Sequence, residues 1–472
     1  GSEMCIRDRA LSELKDENSV SFHMPGHKGK NTLFNWGDYI PAIDTTETYG
    51  MDNLLEPRGV ILESEKEAAK VFGAMNTFYA VNGSTGSIYI AIATITKPGD
   101  TVIVQRNCHK SVYNALILNR LNPVYVYPKY NDDYHVLTGV DPDEIEDLIL
   151  DNPEVKAVIV THTNYYGIAS DLERIAEICH NYGKILMVDE AHGPHMKFDD
   201  RLPKSALECS ADIVIHSTHK TLTGFTQTSM IHVGSERIDI NKLKDRFQLY
   251  TTTSPSYLFT LSNETACAYM DGEGREKLHH NVTKCLEFIE ELKKIDRVEV
   301  FEGDEFDKTI KSKDNTKILF KLEGVKGSRL RKELYERHNI RLEMSDYYYA
   351  LIFATLMNED EDYEKLLEAI KDLSKNLSYE EVKHIKVNMP DPKIIIRPAD
   401  AYYSSKKIIS LKDSLGEIVT SPIIPYPPGV PLLVPGEEIT EEILDHIQFL
   451  KESDLNIVGL LGDDQDSLVV VD

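Results

Sequence analysis

Two residues with complementary chemistry stand at the ends of two apolar runs. Lys220 closes Ser217-Thr218-His219-Lys220, just after the run 211–216, and Asp189 follows the run 184–188 in Asp189-Glu190-Ala191-His192-Gly193. A lysine amine can hold an aldehyde as a Schiff base, and a carboxylate can keep a pyridine nitrogen protonated. Together they point to pyridoxal 5'-phosphate (PLP), with Lys220 carrying the cofactor and Asp189 making its ring an electron sink.

A phosphate-bearing cofactor needs a cradle, and Asn82-Gly83-Ser84-Thr85-Gly86 supplies one at the start of the helical stretch 87–96. Backbone N–H groups at a helix start, two hydroxyls and a permissive glycine suit a phosphate. An ordinary helix cap has the same composition, so the reading depends on Lys220 and Asp189 lying downstream. Ser217 and His219, beside the lysine, are further phosphate donors. His109, in Arg106-Asn107-Cys108-His109-Lys110-Ser111, follows the run 101–105. An imidazole there can stack on the pyridine ring and move a proton; alone it would read as a loop histidine or a cap. For His192, contact with the ring hydroxyl or the substrate carboxylate and a purely structural turn are both open.

Other features carry less. His23 and His27 have a metal-like spacing, yet no cysteine or carboxylate lies nearby in sequence, so no zinc site is expected. The acidic runs 359–362 and 463–466 read as solvated. Tyr347, Tyr348 and Tyr349 read as core packing rather than a substrate wall.

The elements that must position these groups alternate. Strand-like runs at 101–105, 123–127, 157–161, 185–188, 213–216 and 230–233 are separated by helical patterns such as 111–119 and 172–182. Such alternation implies α/β architecture with a mainly parallel sheet, whose strand carboxyl ends form the site. A smaller α+β region is expected from strands at 317–322 and 340–342 and helices at 328–337 and 362–377. The expected divisions are an amino-terminal arm (1–35), a large cofactor-binding domain (36–275), a small α+β domain (276–378) and a C-terminal domain (379–472). The first nine residues look foreign, and the proline-rich stretch 422–435 reads as irregular.

The 472 residues, 41% hydrophobic, are enough for two or three domains. A net charge of −26 argues against nucleic acid as a partner. It could steer a cationic substrate, although solubility is the simpler explanation. No apolar run reaches the ~20 residues of a membrane span, and no signal peptide opens the chain, so a cytoplasmic protein is expected. The six cysteines are scattered, as for reduced thiols.

Taken together, these strings closely resemble the bacterial ornithine/lysine/arginine decarboxylase family in its short form, PLP enzymes of the aspartate-aminotransferase fold (fold type I). The resemblance rests on Ser21-Phe22-His23-Met24-Pro25-Gly26-His27-Lys28, Asn82-Gly83-Ser84-Thr85, the segments 105–111, 188–193 and 217–222, Thr253-Ser254-Pro255-Ser256-Tyr257, Arg397-Pro398-Ala399-Asp400-Ala401-Tyr402 and the segment 425–437. It implies α-decarboxylation of arginine, lysine or ornithine, with Lys220 as the Schiff-base lysine, Asp189 as the pyridinium partner and His109 stacked on the ring. Gly83, Ser84, Thr85, Ser217 and His219 hold the phosphate, and His192 lies with the cofactor. Thr253 and Ser254 resemble the segment that reaches a neighbouring subunit's site, which implies a homodimer. The substrate's distal cation needs an acid, and Glu343, Asp346, Asp400 and Glu437 are candidates, with Arg397 a further substrate candidate. The chain departs from the family pattern at its amino terminus and at His162 and Asn164. Another PLP reaction (aminotransferase or lyase) and a catalytically silent regulatory relative are the alternatives, and the preferred basic amino acid is left open.

Overall fold

The computed structural model describes residues 19–28, 30, 40–382, 392–426, 431–452 and 456–472. The nine foreign-looking residues, and most of the expected arm, lie outside the described residues. The arm's visible part holds β1 (Val20–Phe22).

Helix α1 (Val60–Phe72) leads into β2 (Asn76–Ala80), α2 (Gly83–Ile95), β3 (Thr101–Gln105), α3 (Lys110–Leu118), β4 (Asn122–Val126) and β5 (Ala157–Thr161). Then come α4 (Leu172–Asn181), β6 (Ile185–Asp189), β7 (Ile213–His216), the one-turn α5 (Thr218–Thr221) and β8 (Ser229–Val233). These strands form one seven-stranded sheet in the order β2-β8-β7-β6-β5-β3-β4. The five strands β7, β6, β5, β3 and β4 run parallel, while β8 is antiparallel to both of its neighbours. The parallel strands are covered on both faces, which is why they read as unbroken β-branched and apolar runs. Val102, Ile103 and Val104 are consecutive and all fully buried. Two apolar clusters flank the sheet, and Glu65 of α1 is buried beside one of them, accepting the Tyr79 N–H of β2 at 3.0 Å.

Beyond α6 (Ile240–Tyr250) and α7 (Tyr257–Met270), the long α8 (Glu273–Leu292) enters a second layer. There β9 (Val298–Phe301), β10 (Lys317–Leu322), β12 (Met344–Ser345) and β13 (Ala350–Phe353) make an antiparallel sheet in the order β9-β10-β13-β12. Helices α9 (Gly327–His338) and α10 (Asp360–Asn376) pack with it, and β11 (Ile340–Leu342) pairs in parallel with β1. Helix α10 is amphipathic, burying Tyr363, Leu366, Ala369, Ile370 and Leu373. Tyr347 and Tyr349 are buried in this layer, as expected of core tyrosines.

The last region contains α11 (Pro398–Tyr403), β14 (Lys406–Ser410), β15 (Ile424–Tyr426), α12 (Glu441–Glu452), β16 (Asn456–Val458) and β17 (Ser467–Val471) around its own apolar cluster.

Two expectations are corrected. Pro425 sits inside β15, which pairs with β16 in a two-stranded ribbon, so the proline-rich stretch is not wholly irregular. A proline is tolerated there because each strand of a two-stranded ribbon has an open edge. The acidic run 359–362 is not simply solvated. Glu359 and Asp362 close a capping box at the start of α10, and Asp362 takes an ion pair from Lys30 at 3.0 Å. No helix among the described residues is long and apolar enough to cross a membrane.

Candidate active site

The topology brings the acid and the amine together. Strands β6 and β7 are parallel neighbours with Ile215 opposite Asp189, and the Glu190 N–H donates to Ile215 O at 3.0 Å. Asp189 therefore ends β6 while the chain leaving β7 turns through Ser217 into α5, which carries Lys220. The buried Asp189 carboxylate accepts the Ala191 N–H at 3.1 Å. Desolvation raises its pKa, opposed by the Lys220 charge and that N–H. Desolvation lowers the Lys220 pKa, opposed by Asp189 and Glu343. Each group is thus held nearer to neutrality than in water, and each is the other's counter-charge.

Helix α2 starts at Gly83, in the left-handed region (φ +63°) with open space where a Cβ would stand. The Asn82 side chain makes no capping bond and the Gly83 N–H donates to Gln227 O at 2.8 Å, so it is the Ser84 and Thr85 amides that keep their capacity for an anion. The Ser217 hydroxyl is buried and has no hydrogen-bond partner among the described residues. Such an orphan costs about 1–3 kcal/mol unless a ligand satisfies it. That vacancy of partners, beside a helix start and a lysine, fits a phosphate-bearing aldehyde cofactor. His219 is held with Nδ1 against Thr228 O at 2.9 Å, which places a lone pair at Nε2. As a phosphate donor it would need a second proton, and desolvation pulls its pKa down to about 4.

His109 is exposed at the lip of the site and also caps α3, its Nδ1 accepting the Ser111 N–H at 3.3 Å. The helix-cap reading of this residue is thus met in the structure. Desolvation, then Lys220 and Lys110, lower its pKa to about 4, so its ring is neutral. His192 is buried between Tyr165 and Phe353, with ring centroids 4.8 and 5.5 Å away. Its pKa falls well below the usual range through desolvation and the charges of Lys220 and Lys317.

Among the four candidate acids, Glu343 is the one that contributes to the electrostatics of Lys220. It follows β11 and accepts the Tyr165 hydroxyl at 2.9 Å and the Met24 N–H at 2.7 Å. Asp346 instead organises a turn, taking the Tyr166 hydroxyl at 2.7 Å and the Tyr348 N–H at 2.8 Å. Asp400 and Arg397 are exposed and pair with each other at 2.7 Å on α11. Glu437 is corrected outright: it is fully buried and chelated by both terminal nitrogens of Arg106, leaving no carboxylate edge for a substrate. Thr253 and Ser254 are exposed between α6 and α7. His162 and Asn164 are structural here. The His162 ring meets Lys204 O at 2.9 Å, and Asn164 accepts the Tyr166 and Ile168 N–H groups at 3.0 Å each.

Sequence reasoning assigned no role to four contributors: Gly26, Lys28, Glu190 and His216. The arm segment is stitched to the lysine turn, with the Gly26 N–H on His219 O at 2.8 Å. A Cβ on Gly26 would stand 2.3 Å from Leu222 O, so the approach requires glycine. Lys28 donates to His23 O and Phe353 O at 2.8 Å each, and desolvation brings its pKa down to about 7. Glu190 and His216 were also passed over, although a histidine closing an apolar strand was a visible signal.

The family Orn/Lys/Arg decarboxylase, major domain, matches residues 8–326, and its C-terminal domain matches residues 381–463. An arginine decarboxylase of Bacillus subtilis is 32% identical over 93% of this chain and 91% of its own length. A lysine decarboxylase of Pseudomonas aeruginosa is 24% identical over 96% of this chain and 77% of its own. The solved structure of lysine decarboxylase A from Pseudomonas aeruginosa superposes with a TM-score of 0.80 at 20% identity, covering 99% of this chain and 82% of that one. A PLP-dependent aminotransferase from Streptococcus suis shares the fold more distantly, with a TM-score of 0.54 at 16% identity over 79% of this chain and 98% of that one.

Proposed function

The chain belongs to the Orn/Lys/Arg decarboxylase family and is a decarboxylase of basic amino acids, and we propose that it acts on arginine through a PLP site built on Lys220 and Asp189. The observation that carries the site assignment is the meeting of those two groups at the ends of adjacent parallel strands, each shifting the other's titration. Arginine comes first because relatives bearing that name are 31–32% identical, against 24–25% for those named lysine decarboxylase.

When bound, PLP supplies an aldehyde that takes amines and a ring that accepts the electron pair left behind by CO₂. Lys220 holds the cofactor at rest, and burial favours the neutral amine that this needs. Asp189 keeps the proton on the ring nitrogen. The N–H groups of Ser84 and Thr85, with the Ser217 hydroxyl, would bind the phosphate, while the Gly83 N–H is held by Gln227 O at 2.8 Å. His109 would lie with the cofactor ring. Glu343 receives the distal cation of the substrate, because a desolvated guanidinium without a carboxylate partner is too costly to bind. His192, Tyr165 and Phe353 exclude water around the reacting carboxylate, which favours its departure as neutral CO₂. The proton that replaces it on Cα comes from His109, Lys220 or a bound water. The exposed Thr253 and Ser254 complete the site of a second copy, so the working unit is a homodimer.

The test is product analysis with carboxyl-labelled arginine, lysine, ornithine and norleucine. The reading expects CO₂ and the matching amine in equal amounts, fastest from arginine and negligible from norleucine. A keto acid without CO₂ would replace decarboxylation by transamination, and fastest turnover of lysine or ornithine would displace arginine.

A further inference from the structure

Four buried polar side chains cross the large sheet in a row. Thr77 Oγ1 lies 2.8 Å from His232 Nδ1, His232 Nε2 lies 3.0 Å from His216 Nδ1, and His216 Nε2 lies 2.6 Å from Glu190 Oε2. The Ala206 N–H donates to Glu190 Oε1 at 2.7 Å. Thr77, His232 and His216 sit on β2, β8 and β7, and Glu190 directly follows β6, so the row spans four successive strands.

Its face is fixed by its neighbours. Phe72 of α1 packs on the rings of His216 and His232, with centroids 5.1 and 4.8 Å away. Ser229, three residues before His232 and therefore on the other face, meets Ser87 of α2 at 2.9 Å. The row thus runs on the α1 face, behind the cradle helix α2.

A buried polar row is worth keeping only if every member is satisfied, and apolar residues would fill the same volume at less cost. What hydrogen bonds add over apolar packing is a fixed distance and direction. The β6–β7 register runs from Met187 opposite Ile213 to Asp189 opposite Ile215. The 2.6 Å contact between Glu190 and His216 lies just past that point. Glu190 is bonded covalently to Asp189, and His216 precedes Ser217 on the way to Lys220.

We propose that Glu190 and His216 are positioning residues: their hydrogen bond braces the ends of β6 and β7 and sets the separation of the Asp189 carboxylate from the Lys220 amine. This rests on the reading of Asp189 and Lys220 given above. Burial favours the neutral form of both partners, raising the Glu190 pKa to about 8 and lowering that of His216 to about 3. Protons then run one way: the Glu190 hydroxyl donates to His216 Nε2, His216 Nδ1–H to His232 Nε2, and His232 Nδ1–H to Thr77 Oγ1. A glutamine at position 190 keeps that pattern, since its amide also donates to His216.

The experiment uses the holoenzyme and compares Glu190→Gln with the double variant Glu190→Leu/His216→Phe. The double change removes both polar ends together, so neither partner of the pair is left buried and unpaired. Cofactor dissociation, the pH midpoint of the visible cofactor band, kcat and KM are measured. Glu190→Gln should stay within about twofold of the unaltered enzyme in kcat, with an unmoved midpoint. A displacement of about 1 Å can cost on the order of 10²-fold. The double variant should therefore lose roughly 10- to 100-fold in kcat, shift the midpoint by about half a pH unit or more and leave KM within about threefold. Unaltered midpoint and kcat in the double variant overturn the proposal, whatever happens to its melting temperature. If the double variant does not fold, His216→Gln, which changes the reach of the brace, decides by the same midpoint. Borohydride reduction and peptide mapping of these variants, with the pyridoxyl group still on Lys220, separate failure of the brace from failure of the site assignment.

Discussion

Arg106 and Glu437 form an ion pair in which neither side chain exposes any surface, joining the segment that carries His109 to the last third of the chain. Glu437 also accepts the Val434 N–H at 2.9 Å, while Arg106 donates to Leu432 O at 3.0 Å and lies over the Tyr125 ring, 4.7 Å from its centroid. The pair pins the loop that precedes His109.

Breaking such a pair from one side leaves a buried charge without its counter-charge, at a cost of about 3–5 kcal/mol. Glu437→Gln should therefore lower unfolding free energy by about that amount in urea titrations. It should reduce kcat through displacement of His109, with little change in KM. Wild-type stability in Glu437→Gln would show that the pair does not hold this junction.

Glu343 is the expected receptor of the distal cation. Losing one partner of a desolvated charge pair costs about 2–5 kcal/mol, so Glu343→Gln should raise KM for arginine roughly 30-fold or more. The same change at Asp400 should leave KM within about twofold, because Asp400 is exposed and paired with Arg397. Equal effects at the two positions, read from steady-state kinetics, would remove Glu343 from the role.

Glu65 predicts a pH dependence of stability. Desolvation is the largest influence on its carboxyl and pushes its pKa up to about 8, against the Tyr79 N–H, which lowers it. A raised folded pKa means that the folded state binds the proton more tightly than the unfolded chain. The contribution is full below the unfolded value of 4.5 and is lost as pH rises towards about 8. The stability of the unaltered protein minus that of Glu65→Gln should therefore fall between about pH 5 and about pH 8, by at most about 1.4 kcal/mol per unit. A flat difference in urea melts across that window would contradict the buried acid's titration.

Thr253 and Ser254 carry the shared-site reading. Lys220→Ala subunits mixed with Ser254→Trp subunits should regain about a quarter of full activity, since half of randomly paired dimers are hybrids with one intact site of two. No recovery after confirmed subunit exchange would mean that each chain completes its own site.

Much of this was legible in the chain. The strands 101–105, 157–161, 213–216 and 317–322 lie where their apolar runs place them, because burial on both faces leaves an unmistakable pattern, and 340–342 shows the alternation of a strand buried on one face. The places of Asp189, closing β6, and of Lys220, in the turn after β7, were legible for the related reason that residues following such runs fall at the sheet's carboxyl edge. Glu437 was misread. Its acidity is visible in sequence, but the buried Arg106 that neutralises it lies more than 300 residues away, and only the folded chain joins them. The brace was missed for the same reason: Thr77, His232, His216 and Glu190 come from four separate strands, and each alone is an ordinary polar residue. The arm was missed because its role depends on one glycine's close approach to Leu222 O.

Two further lysines, Lys28 and Lys317, lie near Phe353, 5.9 and 5.7 Å from its ring centroid, and burial lowers the pKa of both, as it does for Lys220. Reducing the PLP-loaded enzyme with borohydride fixes the cofactor to whichever lysine holds it, and peptide mass mapping identifies that residue. The pyridoxyl group is expected on Lys220 alone, with no labelling and no visible band in Lys220→Ala. Label on Lys28 or Lys317 in the unaltered enzyme would contradict the site.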